Sequence, residues 1–434
     1  MNPLKPIFTW LCIVSTIGAD FVSLCYFTNW AFERPESDAR FSHKNIDPYL
    51  CSHLIYAFVD IDPTDLVLSS KSQHEESKYK EFNNLKTKNK DLRTLVSVGG
   101  QNAKSKQFAA VSSNIQNIHH FVKTSAKFLR DRGFDGLDLD WEYPTRNTKE
   151  QFTILVKELR KEFDEEAIDS GKERLIITIA VPAGRARILD GYQPEELAKY
   201  VDYFNVMAYD YFGPWNRISG FNSPLYPRDS DTRFSPELNM QWTVEQWIRL
   251  KVPKEKIVVG MTGAGASFIL NDTDSHGVGA KVDGGAEPGR LYKFEGRLVY
   301  PEICELEQNG GTVVFDTEQK VPYLYKDDLW VGYDNPKSIK AKVKWMIIEG
   351  YGGAMFWSLD FDDFSGKFCK KDKFPLLKAM QLEISKYTKK PVYTEHPKEV
   401  FGRDVENYGF RSVQSCVTLV VFALCVACIP FKFV

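Results

Sequence analysis

The sequence predicts an α/β fold, a (β/α)8 TIM barrel with a small α+β insertion subdomain between the seventh and eighth barrel strands. Two observations lead to this prediction. Eight short apolar runs alternate with segments of helical periodicity, and one long glycine-rich gap separates the last two runs. The 434 residues, 43% of them apolar, are enough for one large core and an insertion.

The eight runs are near-continuous hydrophobic segments, as parallel strands buried on both faces require. They are Val22–Asn29, Ser52–Val59, Arg93–Gly99, Phe134–Glu142, Leu175–Pro182, Val201–Tyr209, Ile257–Gly263 and Gly353–Asp360. Helical patterns lie between them at Asn117–Arg132, Thr148–Ile168, Pro194–Tyr200, Thr243–Leu250 and Ser338–Glu349. A doubly wound open sheet is the alternative, but no Gly-x-Gly-x-x-Gly turn follows the first run.

The gap after the seventh run is too long for a single helix. Residues 264–334 are rich in glycine, aromatic and charged residues, with turn signals at Asp283-Gly284-Gly285 and Asn309-Gly310-Gly311. We expect an α+β subdomain here that forms one wall of a cleft. It contains the one glycosylation sequon, Asn271-Asp272-Thr273.

Both ends of the chain have targeting patterns. Residues 1–19 resemble a secretory signal, with an apolar core and a small-residue cleavage site, although a buried strand is the alternative. Residues 20–388 would form the main domain, and the polar stretch 389–414 reads as a linker. The apolar residues 415–434 fit a signal for a GPI anchor, a retained membrane span, or a buried strand. We therefore expect an extracellular protein; the first two of these alternatives would anchor it to the cell surface through this tail.

Four cysteines in the main domain suit an oxidising compartment. They allow three disulfide connectivities, among which the sequence does not choose: Cys25, Cys51, Cys304 and Cys369. No CxxC pair with metal-ligand spacing lies in this domain, and we predict no metal site and no cofactor. The net charge of -2 gives no reason to expect a nucleic-acid partner, and we expect a monomer.

Three carboxyl side chains occur at steps of two in the fourth predicted strand. Side chains alternate faces along a strand, so Asp138, Asp140 and Glu142 share one face, while Leu137 and Leu139 share the other. An edge strand with a solvated acidic face is the alternative. Other runs also end in carboxyl or aromatic residues, and in a barrel these ends meet at one rim. Such a rim suggests glycoside chemistry.

Residues 135–142 match the DGxDxDWE signature of family 18 glycoside hydrolases, the chitinase and chitinase-like family, at every position. The chain resembles that family over roughly residues 21–387. Other matching segments are Cys25–Trp30, Cys51–Phe58, Asn222–Leu225, Trp330–Asp334 and Gly352–Trp357.

The resemblance implies a retaining mechanism in which the substrate's own 2-acetamido group is the nucleophile. Glu142 would be the general acid and later the base. Asp140 would orient the acetamido group, and Asp138 would share a proton with Asp140. Tyr209 and Asp210 would hold the acetamido group and the leaving side. The implied substrate is chitin or another glycan that contains N-acetylglucosamine.

Trp357 is the implied floor on which the reacting sugar stacks. Tyr26, Tyr143 and Met207 would surround it, and Trp215 could either line the cleft or brace a loop. The remaining residues expected to contact substrate are Gly99, Gly100, Gln101, Asn102 and Ala208.

The chain departs from the family pattern around the cleft. Gln101 stands where the family usually has a tryptophan, and Gln73 lies near another position that is often aromatic. After the seventh strand the family often reads Pro-x-Tyr-Gly-Arg, whereas Ala264 and Ala266 stand here in place of the tyrosine and arginine. Two functions therefore remain open: endo-acting hydrolysis of N-acetylglucosamine chains, and glycan binding by a lectin of the same fold.

Overall fold

Eight parallel strands close into a barrel. The computed structural model describes residues 21–70, 73–103 and 105–388. The strands in chain order are β1 (Val22–Thr28), β2 (His53–Ile61), β3 (Leu68–Ser69), β4 (Arg93–Gly99), β5 (Gly136–Asp140), β6 (Ile176–Pro182), β7 (Tyr203–Met207), β8 (Ile257–Thr262), β9 (Ala264–Leu270), β10 (Val282–Gly285), β11 (Arg297–Val299), β12 (Thr312–Asp316), β13 (Val321–Lys326), β14 (Leu329–Gly332) and β15 (Gly353–Trp357). The barrel order is β1-β2-β4-β5-β6-β7-β8-β15, and β15 pairs with β1, which closes the sheet. The predicted barrel is confirmed.

Ten α-helices lie in the described part of the chain. They are α1 (Gln73–Asn83), α2 (Ser105–Val111), α3 (Ile115–Arg132), α4 (Lys149–Ser170), α5 (Arg185–Gly191), α6 (Pro194–Leu197), α7 (Met240–Arg249), α8 (Tyr300–Gln308), α9 (Pro336–Glu349) and α10 (Pro375–Ser385). Helix α7 begins three residues before the predicted start, because the Asn239 side chain caps the backbone N–H of Trp242. Helix α3 ends at Arg132, and the capping residue that follows it, Gly133, adopts a left-handed conformation with φ 76°.

Alternate residues of the barrel strands pack in two separate cores. Leu137 and Leu139 of β5 are fully buried in the shell between strands and helices. A second, smaller cluster, which includes Leu24, Tyr26 and Met355, fills the barrel interior. Because this interior cluster is also contacted by residues at the strand ends, it supports the floor of the cleft described below.

The segment between β8 and β15 forms the predicted subdomain. Its antiparallel sheet has the order β10-β9-β14-β13-β12, with β11 paired to β9, and α8 connects β11 to β12. Asn271 of the sequon is exposed directly after β9. Glycosylation there remains a prediction.

The four cysteines form two disulfides. Cys25 on β1 pairs with Cys51 before β2, and Cys304 on α8 pairs with Cys369 before α10. The second bridge fastens the subdomain to the segment that follows the last barrel strand. The predicted signal, linker and tail lie outside the described residues; within the described ranges no helix is long and apolar enough to cross a bilayer.

Candidate active site

The three carboxyl groups of the fourth barrel strand lie inside the barrel mouth. Asp138 is fully buried and Asp140 is 4% exposed, whereas Glu142, two residues past Asp140, is half-buried. The next side chain on the opposite face, Trp141, stacks on Phe108 at 5.2 Å in the outer core. The alternative of a solvated acidic edge strand is therefore wrong.

Asp138 is held by four hydrogen bonds from four other strands. Its Oδ2 accepts from the hydroxyls of Ser97 (2.6 Å) and Tyr26 (2.9 Å). Its Oδ1 accepts from the Thr178 hydroxyl (2.6 Å) and the Asn205 amide (3.1 Å). Burial raises the pKa of Asp138, and these donors partly counter the increase by stabilising its charged form.

Asp140 has far less support for a negative charge. Its Oδ1 is buried and has no hydrogen-bond partner among the described residues. Burial, followed by the neighbouring charges of Glu142 and Asp138, holds the pKa of Asp140 well above its usual range. Protonation is therefore favoured more at Asp140 than at Asp138, since Asp138 receives the donors.

The surroundings of Glu142 favour the protonated form of its carboxyl group. Burial raises its pKa, a hydrogen bond from Tyr143 lowers it, and the charge of Asp210 raises it further. A glutamate with a raised pKa keeps its proton closer to neutral pH than a solvated one does, as a general acid requires.

Two glycines allow β4 to approach β5 closely beside these acids. Gly99 has φ +117°, and a Cβ added to it would lie 2.0 Å from the carbonyl oxygen of Asp140. Gly100 has φ +85°, and its N–H donates to that same carbonyl at 2.8 Å. Only glycine combines this backbone conformation with this contact.

A cleft of about 660 Å³ opens over the carboxyl groups. The predicted site residues that line it are Tyr26, Gly99, Gln101, Asn102, Asp140, Glu142, Tyr143, Met207, Tyr209, Asp210 and Trp357. Four other predicted site residues do not line the cleft. Asp138 and Gly100 are buried behind its surface, and Ala208 is buried with its carbonyl accepting a hydrogen bond from the Ser223 hydroxyl. Trp215 is 60% exposed, and its ring packs against Gly213.

Aromatic rings form the floor of the cleft. Trp357 lies 5.3 Å from Tyr26 and 6.0 Å from Phe58, centroid to centroid. Trp30 stacks on Phe58 at 5.9 Å and is 38% exposed. These apolar faces suit the hydrophobic faces of sugar rings, which stack on aromatic side chains.

Asp210 is fixed in an unusual position. It is a non-glycine residue with φ 63°, and its N–H donates to the Asn222 side chain at 2.7 Å. The Asn222 amide in turn donates to the carbonyl of Ala264 at 3.1 Å. The Asp210 carboxylate forms an ion pair with Arg297 on β11.

Several lining residues escaped the sequence analysis. Three of them, Tyr292, Phe294 and Arg297, come from the subdomain, and Arg187 comes from α5. The only signal for the first three was the aromatic and basic composition of the insertion. Arg297 reaches the cleft through the pairing of β11 with β9, and Tyr292 and Phe294 lie in the loop just before β11; that pairing is not visible in the sequence.

Comparison with known proteins agrees with this geometry. A family model described as glycosyl hydrolases family 18 matches residues 22–362. Mus musculus chitotriosidase-1 is 40% identical over 367 residues, covering 83% of this chain and 78% of that protein.

Two solved structures are similar over nearly their whole length. An immunomodulatory active chitinase from Trichuris suis aligns with TM-score 0.80 and 34% identity, covering 84% of this chain and 100% of that one. Human YKL-39, described as a pseudo-chitinase with retained chitooligosaccharide binding properties, aligns with TM-score 0.80 and 39% identity. This alignment covers 84% of this chain and 100% of that one. Since the family model spans most of the sequence, this chain belongs to glycosyl hydrolase family 18.

Proposed function

We propose that this protein is an endo-acting chitinase-type hydrolase of β-1,4-linked N-acetylglucosamine chains, with Glu142 as its general acid. The observation that carries the proposal is the arrangement of the three carboxyls. Asp138 is hydrogen-bonded from four sides, Asp140 keeps one unpartnered buried oxygen, and Glu142 reaches the cleft with a raised pKa. Mouse chitotriosidase-1 and the Trichuris suis chitinase support the same activity.

The reaction needs one proton donor and one internal nucleophile. Glu142 gives its proton to the glycosidic oxygen as the bond between that oxygen and C1 breaks. The carbonyl oxygen of the substrate's 2-acetamido group bonds to C1 and forms an oxazolinium ion. Water then attacks C1, its proton passes to the Glu142 carboxylate, and the acetamido group is released with retained configuration.

Asp140 would orient the acetamido group. A buried acceptor without a partner costs free energy, and the substrate N–H would satisfy it. As positive charge develops on the oxazolinium ion, a proton shared by Asp138 and Asp140 can shift toward Asp138, leaving a negative charge on Asp140. Tyr209, which lines the same cleft, would support the acetamido group from the other side.

A glycan-binding lectin is the second candidate. Gln101 and Ala264 line the cleft where the family usually has aromatic side chains, so fewer rings are available for a long polymer. The likeness to YKL-39, a pseudo-chitinase that retains chitooligosaccharide binding, also favours it. The intact set of carboxyls favours the enzyme.

A fluorogenic chito-oligosaccharide assay on the protein purified from the culture medium separates these two functions. We expect turnover by the wild type, loss of turnover in Glu142→Gln, and retained oligosaccharide binding in that variant. Glu165→Gln is the matched control, because Glu165 is 60% exposed and pairs with Lys161 on α4 outside the cleft. Full activity of Glu142→Gln would refute the assignment of the acid, and binding without turnover by the wild type would identify a lectin.

We also propose that the protein acts outside the cell. Two disulfides support an oxidising compartment, in line with the predicted signal at residues 1–19. Recovery of the protein in the culture medium, or at the cell surface with release by a phospholipase, tests this location and the nature of the tail.

A further inference from the structure

The arginine that the family often has after the seventh barrel strand is absent, yet a guanidinium reaches the cleft from the neighbouring strand. Position 266 is alanine, and it is the direct cross-strand partner of Arg297 in the antiparallel pairing of β9 with β11. Directly opposed residues place their side chains on the same face of a sheet, with Cβ atoms about 4.5–5.5 Å apart. Arg297 and Ala264, which lies on the same face of β9 as Ala266, both line the cleft, so the guanidinium of Arg297 lies on the side of the sheet that faces the cleft.

Arg297 is held in that position by packing on several sides. Its side chain is only 13% exposed and forms an ion pair with the Asp210 carboxylate. The guanidinium also lies 5.8 Å from the ring centre of Phe294. The preceding Gly296 packs so tightly against Pro214 that an added Cβ would lie 2.9 Å from the proline ring, which fixes the start of β11 against the loop after β7.

We propose that Arg297 is a positioning residue for glycosidic cleavage: it holds the Asp210 carboxylate in place and neutralises it beside Glu142. The proposal rests on the proposed hydrolase function. Asp210 has its backbone fixed by Asn222 and its carboxylate fixed by Arg297, so both ends of the residue are constrained.

The electrostatic consequence has a definite sign. The charge of Asp210 raises the pKa of Glu142, and a paired arginine reduces that effect. The other titratable groups that interact with Glu142 are Asp140, Tyr143, Tyr192 and Tyr209. A further cation, Arg187, lies over the Tyr143 ring at 5.3 Å. All of these remain when Arg297 alone is changed, so its contribution can be measured separately.

The test compares Arg297→Gln, which removes the charge but keeps a polar side chain, with Arg297→Lys, which keeps the charge. For Arg297→Gln we expect kcat/KM to fall roughly 10-fold to 100-fold, since a misplaced catalytic group costs about that much. We expect the basic limb of its pH–rate profile to move upward by about half a pH unit or more, because Asp210 is no longer neutralised. Arg297→Lys should retain the wild-type limb.

Arg290→Ala is the control, because Arg290 lies in the same subdomain but pairs with Glu305 outside the cleft. A carbon-13 titration of the Glu142 carboxyl, assigned with Glu142→Gln, measures the same shift without turnover. If the wild type is inactive, the hydrolase proposal fails, and this titration alone tests whether Arg297 affects the protonation of Glu142. Coincident Glu142 titrations in wild type and Arg297→Gln would overturn the inference. So would an equal loss of activity in Arg297→Gln and Arg297→Lys with no change in the pH profile.

Discussion

Replacing Asp138 with alanine should destabilise the protein by about 3–5 kcal/mol, whereas replacing it with asparagine should cost less than about 1.5 kcal/mol. The difference follows from the hydrogen bonds inside the barrel. Alanine leaves all four donors to this carboxylate without their acceptor, in a place that water does not reach in the folded protein.

The magnitude comes from the desolvation of those donors. One buried polar group left unsatisfied costs about 1–3 kcal/mol, and four such groups cost less than four times as much, because side chains relax and water can enter the space that is left. Asparagine keeps one oxygen for Thr178 and Asn205. Its NH2 group would face Ser97 and Tyr26, whose hydroxyls can rotate and act as acceptors.

Urea unfolding followed by tryptophan fluorescence measures both values, with the disulfides intact. Ser97→Ala serves as the matched variant, because it removes a single donor, and should cost about 1 kcal/mol. Equal stability of Asp138→Ala and wild type would contradict the reasoning, and so would an Asp138→Asn variant as unstable as Asp138→Ala.

Three further predictions concern the acid, its neighbouring backbone and a buried ion pair. Because Glu142 must be protonated and its pKa is raised, kcat/KM should decrease as the pH rises through a value above the usual pKa range of glutamate. A pH–rate profile whose decrease with rising pH is already complete at or below that usual range would contradict this prediction. Gly99→Ala should cost about 1–3 kcal/mol in urea unfolding and should reduce activity, since the new Cβ displaces the carbonyl of Asp140; wild-type behaviour would disprove the contact. Lys342→Met should cost about 3–5 kcal/mol by leaving buried Asp334 unpaired, and adding Asp334→Leu should recover most of it; no recovery would show that the pair is not the cause.

The sequence predicted the acidic face of β5 correctly because period-two alternation is a local property. It did not predict the hydroxyls that hold Asp138, although Ser97 and Thr178 stand out as polar residues within hydrophobic runs. Both are direct register partners of Asp138 on the two neighbouring strands. The register between parallel strands is set by the closure of the whole barrel. Examining each apolar run of the sequence separately therefore cannot show which residues of neighbouring strands are paired.

The wall of the cleft was harder to predict for the same reason. The sequence shows alanine at position 266, where the family often has arginine, and by itself this substitution indicates the loss of a positive charge from that part of the cleft. Arg297 lies 31 positions later in a loop-rich segment, and only the antiparallel pairing of β9 and β11 brings the two positions together. A substitution that removes a functional group from one strand can therefore be balanced by its cross-strand neighbour, and a motif comparison cannot detect this.

Two segments to which the sequence analysis gave no function, Asn222–Leu225 and Trp330–Asp334, connect the subdomain to the candidate catalytic residues. Lys342 of α9 is fully buried and donates to Asp334 at 2.6 Å and to the Ser223 carbonyl at 2.5 Å. The residue before Ser223 is Asn222, which holds the backbone of Asp210. A buried lysine is tolerated only where its charge is paired, so α9, the end of the subdomain and the loop after β7 must keep one relative position. The placement of Asp210 beside Glu142 therefore depends on an ion pair outside the cleft as well as on Arg297 inside it.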